Sequence, residues 1–396
     1  MRVAVFTDND FDKVNGVTST LQAVLRYASD VEPRIYTAGD LAVETPTYFA
    51  CGSLGVGLPW YRDMRVYWPR IDAFARALLA DHVQVVHITT PGPVGLAARW
   101  LAGRLQLPLV GSYHTDVGEH LRIASGSVRL GGAIERYVRW CYGPCDPLLV
   151  PSPATRDVLA ERGYAAGRLR LWGRGVDGEC FAPARASRGL RDEWHVDHRR
   201  PAILYAGRLA REKGLDLIGP IQQRLHRHGL AHQFVFAGDG PMRAELQALC
   251  PDGLFLGALP SDQMAVVMAS SDIFLYPSAT DTLGNVVLDA QAAGLPAVVS
   301  NEGGPQQHVV PEVTGFVCAA RSVDGFAAAL VTLVRQTERR VAMGRRAHQL
   351  AQSRNWPAAL APLFEAWRDA ASRSPIVGRV ATAGPQRPAL HAQRSR

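Results

Sequence analysis

Short apolar runs alternate along the chain with longer segments of helical periodicity. The first half contains the strand-like runs RVAVF, RIYTA, VQVVHI, LPLVGSY and PLLVP. After the stretch FAPARASRG the alternation restarts, with the runs PAILYAG, QFVFAGDG, LFLGAL, IFLYPS and PAVVS. Strands that are apolar along their whole length and alternate with helices are typical of parallel sheets covered on both faces. The pattern therefore predicts an α/β protein of two Rossmann-like, doubly wound domains that face a central cleft.

The same pattern divides the chain into segments. We place an N-terminal domain at residues 1–180, a C-terminal domain at residues 181–350, and the linker near residues 176–200, where Gly, Pro and charged residues accumulate. The segment PAALAPLFEAWRDAA within residues 351–373 has the periodicity of a helix. The tail of residues 374–396 is rich in Pro, Ala and Arg, and we expect it to be disordered.

The composition is that of a globular protein, with 47% apolar and 20% charged residues in a chain of 396. No apolar stretch approaches the length that spans a bilayer, and the N-terminal run MRVAVFTDNDF predicts a strand rather than a signal peptide. We therefore expect a cytoplasmic protein. The cysteines form no C-x-x-C pair, and we expect reduced thiols rather than a metal site at Cys51, Cys141, Cys145, Cys180, Cys250 and Cys318.

The formal net charge is +7, and only Lys13 and Lys213 among the basic residues are lysines. A moderately basic surface suits anionic partners such as phosphates, acidic lipids or nucleic acid. The sequence contains neither a nucleic-acid-binding module nor a basic–aromatic cluster of the kind such modules use, so we expect no nucleic-acid partner.

The loop after the first strand carries two candidate features. Asp8 and Asp10 form a D-x-D, which in some transferases holds a metal ion, but acidic residues are common in turns and we expect no metal here. Gly16 precedes an amphipathic segment, where a glycine lets backbone N–H groups and a helix N-terminus approach a phosphate closely.

Another strand is followed by GSYHTD, which presents His114 with Asp116 two residues later. Such a histidine is either satisfied by its own loop or part of a site. Its position after a strand favours a site, because ligands of open α/β sheets bind beyond the carboxyl ends of the strands.

Two loops of the second half suit a phosphorylated ligand. In YAGRLAREKGLD, Arg208 offers a guanidinium fork and Lys213 a compact charge, a combination that suits a diphosphate. We place these cations at the start of a helix, where they oppose the helix dipole and indicate an anion site. In FAGDGPMRAEL, Gly238 and Gly240 follow a strand and resemble a nucleotide-contacting turn.

The stretch TDTLGNVVLDAQAAGLP carries two carboxylates around a predicted helix start. Gly284 there would expose N–H donors to a phosphate, and Asp289 could accept hydrogen bonds from two ribose hydroxyls. Asp281 also fits a first-turn or N-cap acid. A cap is a weaker explanation for Asp289, which lies in an apolar run where a buried acid needs a partner.

Taken together, these motifs resemble the retaining nucleotide-sugar glycosyltransferases of family 4, which have the GT-B fold. The resemblance runs from the NGVT loop to the helix after Trp356, and SYHTD, RGVD and GRLAREKGLD occur in the family's order. Its most specific part is PSATDTLGNVVLDAQAAGLPAVVSNEGGP, which resembles the family's donor-site signature. The likeness is greatest to bacterial GDP-mannose-dependent α-mannosyltransferases and related enzymes that glycosylate membrane lipids.

The resemblance implies an acceptor-side N-terminal domain, a donor-binding C-terminal domain, and a final helix that crosses back to the N-terminal domain. It implies a hexosyltransferase that uses a nucleotide diphosphate sugar, with GDP-mannose favoured over UDP-glucose. The acceptor would be a lipid, a glycan or a small molecule, and the reaction would need no cofactor and no metal.

Family roles carry over residue by residue. Arg208 and Lys213 would neutralise the donor diphosphate, and His114 and Asp281 would lie at the donor sugar. The departing phosphate would take the acceptor proton in a front-face attack, so no enzymatic base is required. The residues that would contact the donor besides Arg208 and Lys213 are Gly16, Gly238, Gly240, Thr282, Leu283, Gly284, Asn285 and, at the ribose, Asp289.

The chain departs from the family at its two carboxylates. The signature normally has two glutamates separated by seven residues, and here both are aspartates, Asp281 and Asp289. Each carboxylate is pulled back by about 1.5 Å, the length of one bond. A protein that binds nucleotide sugars with weak or no turnover is therefore an alternative. Phosphorylase-like or sucrose-synthase-like activity is a second one, although no pyridoxal-phosphate lysine or long extra domain is evident.

The segment HLRIASGSVRLGGAIERYVRW interleaves arginines with apolar and aromatic residues. Arg129 and Arg136, seven residues apart, share a face if the segment is a helix. The segment is either an ordinary solvated helix face or a basic amphipathic surface that contacts anionic lipid at the inner membrane. The arginines of the lipid-binding hypothesis are Arg122, Arg129, Arg136 and Arg139.

Overall fold

The computed structural model of this chain describes residues 1–9, 16–58 and 61–373. The predicted disordered tail of residues 374–396 and the second aspartate of the D-x-D, Asp10, lie outside the described residues. The described part contains two large, mainly parallel sheets that alternate with helices along the chain, as the alternation of apolar runs predicts.

Strands of the N-terminal half form the first sheet and, as a separate two-stranded sheet, a small hairpin. These strands are β1 (Arg2–Phe6), β2 (Glu32–Gly39), β3 (Val43–Glu44), β4 (Tyr48–Gly52), the hairpin β5 (Gly55–Leu58) and β6 (Tyr61–Tyr67), β7 (Val85–Ile88), β8 (Leu109–Ser112), β9 (Leu148–Val150) and β10 (Leu169–Leu171). The helices are α1 (Gly16–Tyr27), α2 (Ile71–Ala80), α3 (Pro93–Leu105), α4 (Val117–Ser125), α5 (Val128–Tyr142) and α6 (Pro153–Glu161).

The second sheet belongs to the C-terminal half. Its strands are β11 (Ala202–Ala206), β12 (Gln233–Ala237), β13 (Leu254–Gly257), β14 (Ile273–Tyr276), β15 (Ala297–Ser300) and β16 (Gly315–Cys318). The helices are α7 (Arg188–Glu193), α8 (Ile218–Arg227), α9 (Arg243–Leu249), α10 (Ser261–Ala269), α11 (Asn285–Ala292), α12 (Val323–Arg335), α13 (Thr337–Gln352) and α14 (Trp356–Ser372).

Both sheets have the strand order of doubly wound folds. The first runs β10-β9-β8-β7-β1-β2-β4-β3 and the second β13-β12-β11-β14-β15-β16. In each, the chain starts in the interior of the sheet and reverses direction beside the first strand, between β1 and β7 or between β11 and β14. The strands next to these reversals end at the loops that carry the candidate residues, as expected for ligand sites of such sheets.

The last helix, α14, packs on the first sheet although it follows the second domain in sequence. Its buried residues Leu360, Leu363 and Trp367 share one apolar core with Val5 of β1 and Val85 of β7. The predicted return of the C-terminal helix to the N-terminal domain is confirmed.

The two chain connections between the sheets run side by side. Val176 and Asn355 form a parallel bridge, and Val176 N donates to Arg354 O at 2.9 Å. A Cβ at Gly175 would lie 2.4 Å from Trp356 Cα, so only glycine allows this approach.

All ten predicted apolar runs contain strands, and the described residues contain six further strands that were not predicted. The hairpin strands β5 and β6, the edge strands β3, β10 and β16, and β4 are short or mix polar with apolar residues, so their periodicity is weak. Within the predicted linker, α7 leads to Trp194, which is buried in the core of the second sheet.

The six cysteines are all unpaired thiols, and five of them are buried. Among the described residues, no helix combines the length and the apolar character needed to cross a bilayer.

Candidate active site

The centre of the candidate site is an ion pair between two loops of the second domain. Lys213 Nζ donates to Asp281 Oδ1 at 2.6 Å, and the Tyr276 hydroxyl donates to Asp281 Oδ2, also at 2.6 Å. The Lys213 and Asp281 side chains are only 15% and 18% exposed. Lys213 lies in the loop after β11 and Asp281 in the loop after β14, so adjacent parallel strands bring together residues that are distant in sequence.

The ion pair fixes the charge of Asp281. Burial would raise the pKa of Asp281, but the charge of Lys213 and the hydrogen bonds from Lys213 and Tyr276 outweigh burial and lower that pKa to about 2. The carboxylate is therefore ionised at neutral pH. The alternative in which Asp281 caps a helix is wrong, because α11 begins at Asn285 and its N-cap residue is Gly284.

The dipole argument for Lys213 also needs correction. Lys213 ends a 3-10 turn (Arg211–Lys213), and α8 begins only at Ile218. The cation therefore does not oppose the dipole of a long helix. What positions it is the turn itself, closed by Gly214 with φ +70°, where a Cβ would lie 2.8 Å from Pro277 O.

The N-terminus of α11 is built around Gly284. Its φ of +71° is in the left-handed region, and a Cβ there would lie 2.6 Å from Pro305 Cγ. Gly16, the first residue of α1, lies across the cleft, since a Cβ on Gly16 would be 3.0 Å from Asn285 Nδ2. Two helix N-termini thus face one another across the cleft, and the positive ends of both helix dipoles favour an anion between them.

The loop before α11 joins the two domains. Thr282 Oγ1 donates to His114 O at 2.7 Å, and Thr282 O accepts from Thr155 Oγ1 at 3.1 Å. Leu283 O lies 2.9 Å from His308 Nε2. The predicted residues Thr282, Leu283 and His114 therefore lie together where the domains meet.

His114 lies beneath this contact, partly buried, and is linked to side chains that are fully buried. Its Nε2 lies 2.8 Å from Ser112 Oγ, which in turn lies 3.0 Å from His87 Nε2. Burial lowers the pKa of His114 to about 4, so the imidazole is neutral at neutral pH. A neutral imidazole has one N–H donor and one acceptor nitrogen.

Asp289 lies in α11, buried next to the inter-domain connection. Its Oδ2 is 3.8 Å from an Arg174 guanidinium nitrogen, and both side chains are close to nine-tenths buried. Burial raises the pKa of Asp289; Arg174 opposes this shift and Asp177 adds to it. The Arg174 guanidinium also lies over the Trp356 ring, 5.5 Å from its centroid.

The remaining donor-site candidates have different surroundings. Arg208 is exposed at the end of β11, and its carbonyl accepts from the Tyr205 hydroxyl at 2.9 Å. Gly238 and Gly240 fit closely against the neighbouring loop, because a Cβ would lie 1.9 Å from Gly207 O and 2.4 Å from Leu209 O, respectively. Both glycines thus allow the loops after β11 and β12 to pack, which is a sufficient reason for their presence.

Asp8 of the D-x-D caps a helix. Its carboxylate accepts from Val94 N at 2.8 Å, Gly92 N at 3.1 Å and Thr90 Oγ1 at 2.7 Å, at the N-terminus of α3. Burial raises the pKa of Asp8, while these hydrogen bonds lower it. The oxygens that a metal would need are thus already committed to backbone and hydroxyl donors.

The arginine-rich segment forms two helices, α4 and α5, that meet at Gly126. Arg122 on α4 pairs with Glu119, and Arg139 on α5 donates to Arg162 O at 2.8 Å. Arg129 and Arg136 are exposed on α5. The four arginines of the lipid-binding hypothesis are therefore divided between two helices, with Arg122 on α4 and the other three on α5.

Several residues at this site were not singled out from the sequence. Tyr276 is the last residue of β14 and directly precedes the donor-site signature. Arg174 is the first residue of the RGVD motif. Gly304 lies within the signature, and a Cβ on it would be 2.1 Å from Thr282 O. Polar residues inside otherwise apolar strands, such as His87 in β7 and Ser112 in β8, are the signal in the sequence that could have indicated further residues of the site, because a buried polar group needs a partner.

Both halves of the chain match families of glycosyltransferases. Residues 14–179 match the family described as "Glycosyltransferase Family 4", and residues 200–336 match the family described as "Glycosyl transferases group 1".

Similar proteins with established names cover most of the chain. A GDP-mannose-dependent alpha-mannosyltransferase of Mycobacterium tuberculosis is 30% identical over 376 residues, which are 90% of this chain and 93% of that protein. The sulfoquinovosyl transferase of Arabidopsis thaliana is 29% identical over 370 residues, 90% of this chain and 71% of that protein.

Solved structures share the fold at lower identity. Anabaena HepE in complex with UDP and glucose aligns with a TM-score of 0.74 at 16% identity, over 92% of this chain and 98% of that one. Sucrose-phosphate synthase from Thermosynechococcus elongatus aligns with a TM-score of 0.73 at 18% identity, over 93% of this chain and 98% of that one.

Proposed function

The chain belongs to the family 4 glycosyltransferases with the GT-B fold and is a hexosyltransferase, and from this premise we propose that it transfers mannose from GDP-mannose with retention at the anomeric carbon. The acceptor is a lipid-linked or glycan hydroxyl. The reaction needs neither a metal ion nor a further cofactor.

The observation that carries this proposal is the Lys213–Asp281 pair beside the N-terminus of α11. A nucleoside diphosphate is the leaving group of the reaction, and its negative charge grows as the bond to the sugar breaks. Lys213, Arg208 and the N–H groups at Gly284 and Asn285 supply positive charge and donors at one end of the cleft. Groups fixed in advance at such a position stabilise the leaving group without further reorganisation.

The roles of the other residues follow from their positions. The ionised Asp281 accepts hydrogen bonds from hydroxyls of the donor sugar, and Asp289 accepts them from the ribose. His114, neutral and partly buried beneath Thr282, lies at the sugar. The acceptor hydroxyl gives its proton to the departing phosphate oxygen on the same face, so positioning and charge supply the rate enhancement.

The choice of GDP-mannose is supported by names of relatives. Three GDP-mannose-dependent alpha-mannosyltransferases, from Corynebacterium and two mycobacteria, match at 29–30% identity. UDP-glucose is the second candidate donor, because a structural neighbour was solved in complex with it.

Nucleotide release distinguishes these candidates. The purified chain is incubated with GDP-mannose or UDP-glucose, with and without bacterial lipid extract, and with EDTA in a parallel series. We expect GDP release that the extract increases and EDTA leaves unchanged, and an anomeric coupling constant in the product that matches the donor. Release from UDP-glucose alone would replace the donor assignment, and release from neither would favour a binding protein.

Replacing Asp289 with alanine should raise the KM for the donor. A hydrogen bond to a charged group contributes about 1.5–3 kcal/mol, so the expected increase is about tenfold to a hundredfold. Steady-state kinetics with varied donor measures this increase. Asp289→Glu, which restores the longer side chain of the family, is the control and should lower KM or leave it unchanged. An unchanged donor KM in Asp289→Ala would remove the ribose assignment.

The acceptor side of the proposal includes a peripheral membrane contact through α5. Arg129 and Arg136 are exposed there, with Val128 70% and Trp140 57% exposed on the same helix. Basic residues beside exposed apolar and aromatic side chains are typical of helices that lie in a membrane interface.

Flotation with vesicles tests the membrane contact. Vesicles with about a third of anionic phospholipid should carry the protein upward at low salt, and neutral vesicles should not. Arg129→Glu with Arg136→Glu should abolish flotation, whereas Arg335→Glu on α12 of the other domain should not. Equal flotation of both variants would contradict the role of α5.

A further inference from the structure

A series of hydrogen bonds between side chains, which we call the relay, joins helix α14 to His114. Trp367 of α14 donates through Nε1 to His87 Nδ1 at 3.2 Å. His87 Nε2 lies 3.0 Å from Ser112 Oγ, and Ser112 Oγ lies 2.8 Å from His114 Nε2. Trp367, His87 and Ser112 are each at most 1% exposed. The first of these hydrogen bonds joins residues 280 positions apart in sequence, and the relay as a whole runs from α14 to the cleft.

Each hydrogen bond in the relay has a defined direction. An indole N–H can only donate, so Nδ1 of His87 must accept. Burial, together with the nearby His114, lowers the pKa of His87 to about 3, so His87 is neutral at neutral pH and its one proton is on Nε2. That N–H donates to Ser112 Oγ.

The direction continues to the cleft. Among the described residues, Ser112 Oγ has two partners, His87 and His114. Because His87 donates to the hydroxyl, the hydroxyl proton goes to the other partner, and Nε2 of His114 accepts it. His114 is neutral as well, so its own proton is on Nδ1.

We propose that Trp367, His87 and Ser112 are positioning residues that hold His114 in the Nδ1–H tautomer, so that it presents a hydrogen-bond donor to the sugar in the cleft. The proposal rests on the proposed function for the identity of the ligand. It assigns His114 as a donor to a sugar oxygen and removes the basic nitrogen Nε2 from reach of the acceptor. The last helix of the fold thereby determines the chemistry of the site.

The chain offers a matched control in Trp172. This tryptophan is also buried, at 5% exposure, and its ring meets His114 edge-on with centroids 5.4 Å apart. Its Nε1 is buried but has no hydrogen-bond partner among the described residues. Trp172→Phe and Trp367→Phe each remove one indole beside a histidine. Only Trp367→Phe removes a hydrogen-bond donor from the relay that leads to His114.

Nitrogen NMR of the unliganded protein tests the tautomer directly. Long-range ¹H–¹⁵N spectra of protein labelled in its 12 histidines distinguish a protonated ring nitrogen from an unprotonated one, and His114→Gln and His87→Gln assign the signals. We expect Nδ1 of His114 and Nε2 of His87 to carry the protons. A proton on Nε2 of His114 in the wild-type protein would overturn the proposal, whatever the variants do.

The variants extend the test to activity. Trp367→Phe should give His114 signals of both tautomers and lower kcat about tenfold, the effect of one hydrogen bond, with the donor KM within about twofold. Trp172→Phe should keep the wild-type tautomer and kcat within about twofold. If both variants lost kcat equally and His114 kept its tautomer, the loss would come from disturbed packing and not from the direction of the hydrogen bonds, and the proposal would be contradicted. Because the spectra need no substrate, a failure of GDP-mannose as donor leaves this test intact.

Discussion

Replacing Lys213 with alanine is expected to lower kcat/KM for the donor by about 10³-fold, more than any other single change at the site. Lys213 is the one lysine in the described part of the chain, and the proposal places it at the departing diphosphate. Removing one preorganised group that stabilises developing charge costs about 10² to 10³ in rate, and a full charge lies at the upper end. Initial rates of nucleotide release at subsaturating donor measure the loss.

The same change should destabilise the fold. Without Lys213, the Asp281 carboxylate is a mostly buried charge that keeps the hydrogen bond from the Tyr276 hydroxyl at 2.6 Å but has lost the cation paired with it. Breaking a buried pair by removing one partner costs about 3–5 kcal/mol, and the partial exposure of this pair places it at the lower end. The midpoint of urea denaturation should fall accordingly.

The pH dependence of stability provides a check with a defined sign. The folded pKa of Asp281 is about 2, below its ordinary value of 3.8, so the pair stabilises the wild-type protein above about pH 4. That contribution, on the order of 2 kcal/mol, is lost as the pH falls through 2. Lys213→Ala should lack this loss.

A double variant separates the two effects. Lys213→Met combined with Asp281→Asn removes both charges and should regain most of the lost stability while remaining inactive. Activity of Lys213→Ala within tenfold of the wild type would contradict the leaving-group role of Lys213. A stability of Lys213→Ala equal to that of the wild-type protein would contradict the burial of the pair.

Gly304→Ala is expected to reduce kcat/KM by about a hundredfold although residue 304 bears no functional group. An added Cβ would lie 2.1 Å from Thr282 O and 2.5 Å from Leu283 Cα, and Gly304 N donates to Asp281 O at 2.7 Å. Backbone atoms cannot rotate away as a flexible side chain can. The loop that carries Asp281 and Thr282 must therefore shift, and a displacement of about 1 Å at a site can cost about a hundredfold in rate.

Gly103→Ala is the control for this prediction. Gly103 lies inside α3, where a Cβ would meet no described atom within 4 Å outside its own helix, so alanine should leave activity unchanged and raise stability by up to about 1 kcal/mol. A crystal structure of Gly304→Ala with the Asp281 loop in place, or wild-type kinetics, would contradict the expected displacement.

The fold could be predicted because its signal is repeated many times along the chain. Most of the parallel strands are apolar runs with a glycine or a proline beside them, and ten such apolar runs in two series are sufficient for two doubly wound domains. The weaker strands β5 and β6 form a hairpin whose alternation is interrupted by Gly55 and Gly57. A local pattern of this kind does not distinguish a strand from a loop.

The candidate site was predictable only in part, for physical reasons that differ from residue to residue. Lys213 and Asp281 follow strands, and the rule that sites lie beyond strand ends places them correctly at one sheet edge. That Asp8 would cap α3, 86 residues later in the chain, depends on tertiary contacts that no local pattern encodes. The same is true of Trp367, whose periodicity predicts only a core residue of a helix.

The pairing of the two inter-domain connections has a mechanical consequence. Val176 and Asn355 form a parallel bridge, Val176 N donates to Arg354 O, and Gly175 lies against Trp356. The two chain connections between the domains are therefore joined to each other along one short stretch instead of crossing separately. Such a joined pair of connections allows the two domains to rotate as a hinge does, but resists sliding and twisting of one domain against the other. We expect a small rotation at this connection to produce a larger displacement at the contact between Thr282 and His114, so the conformations open to residues 175–176 and 355–356 should limit how far the domains separate there.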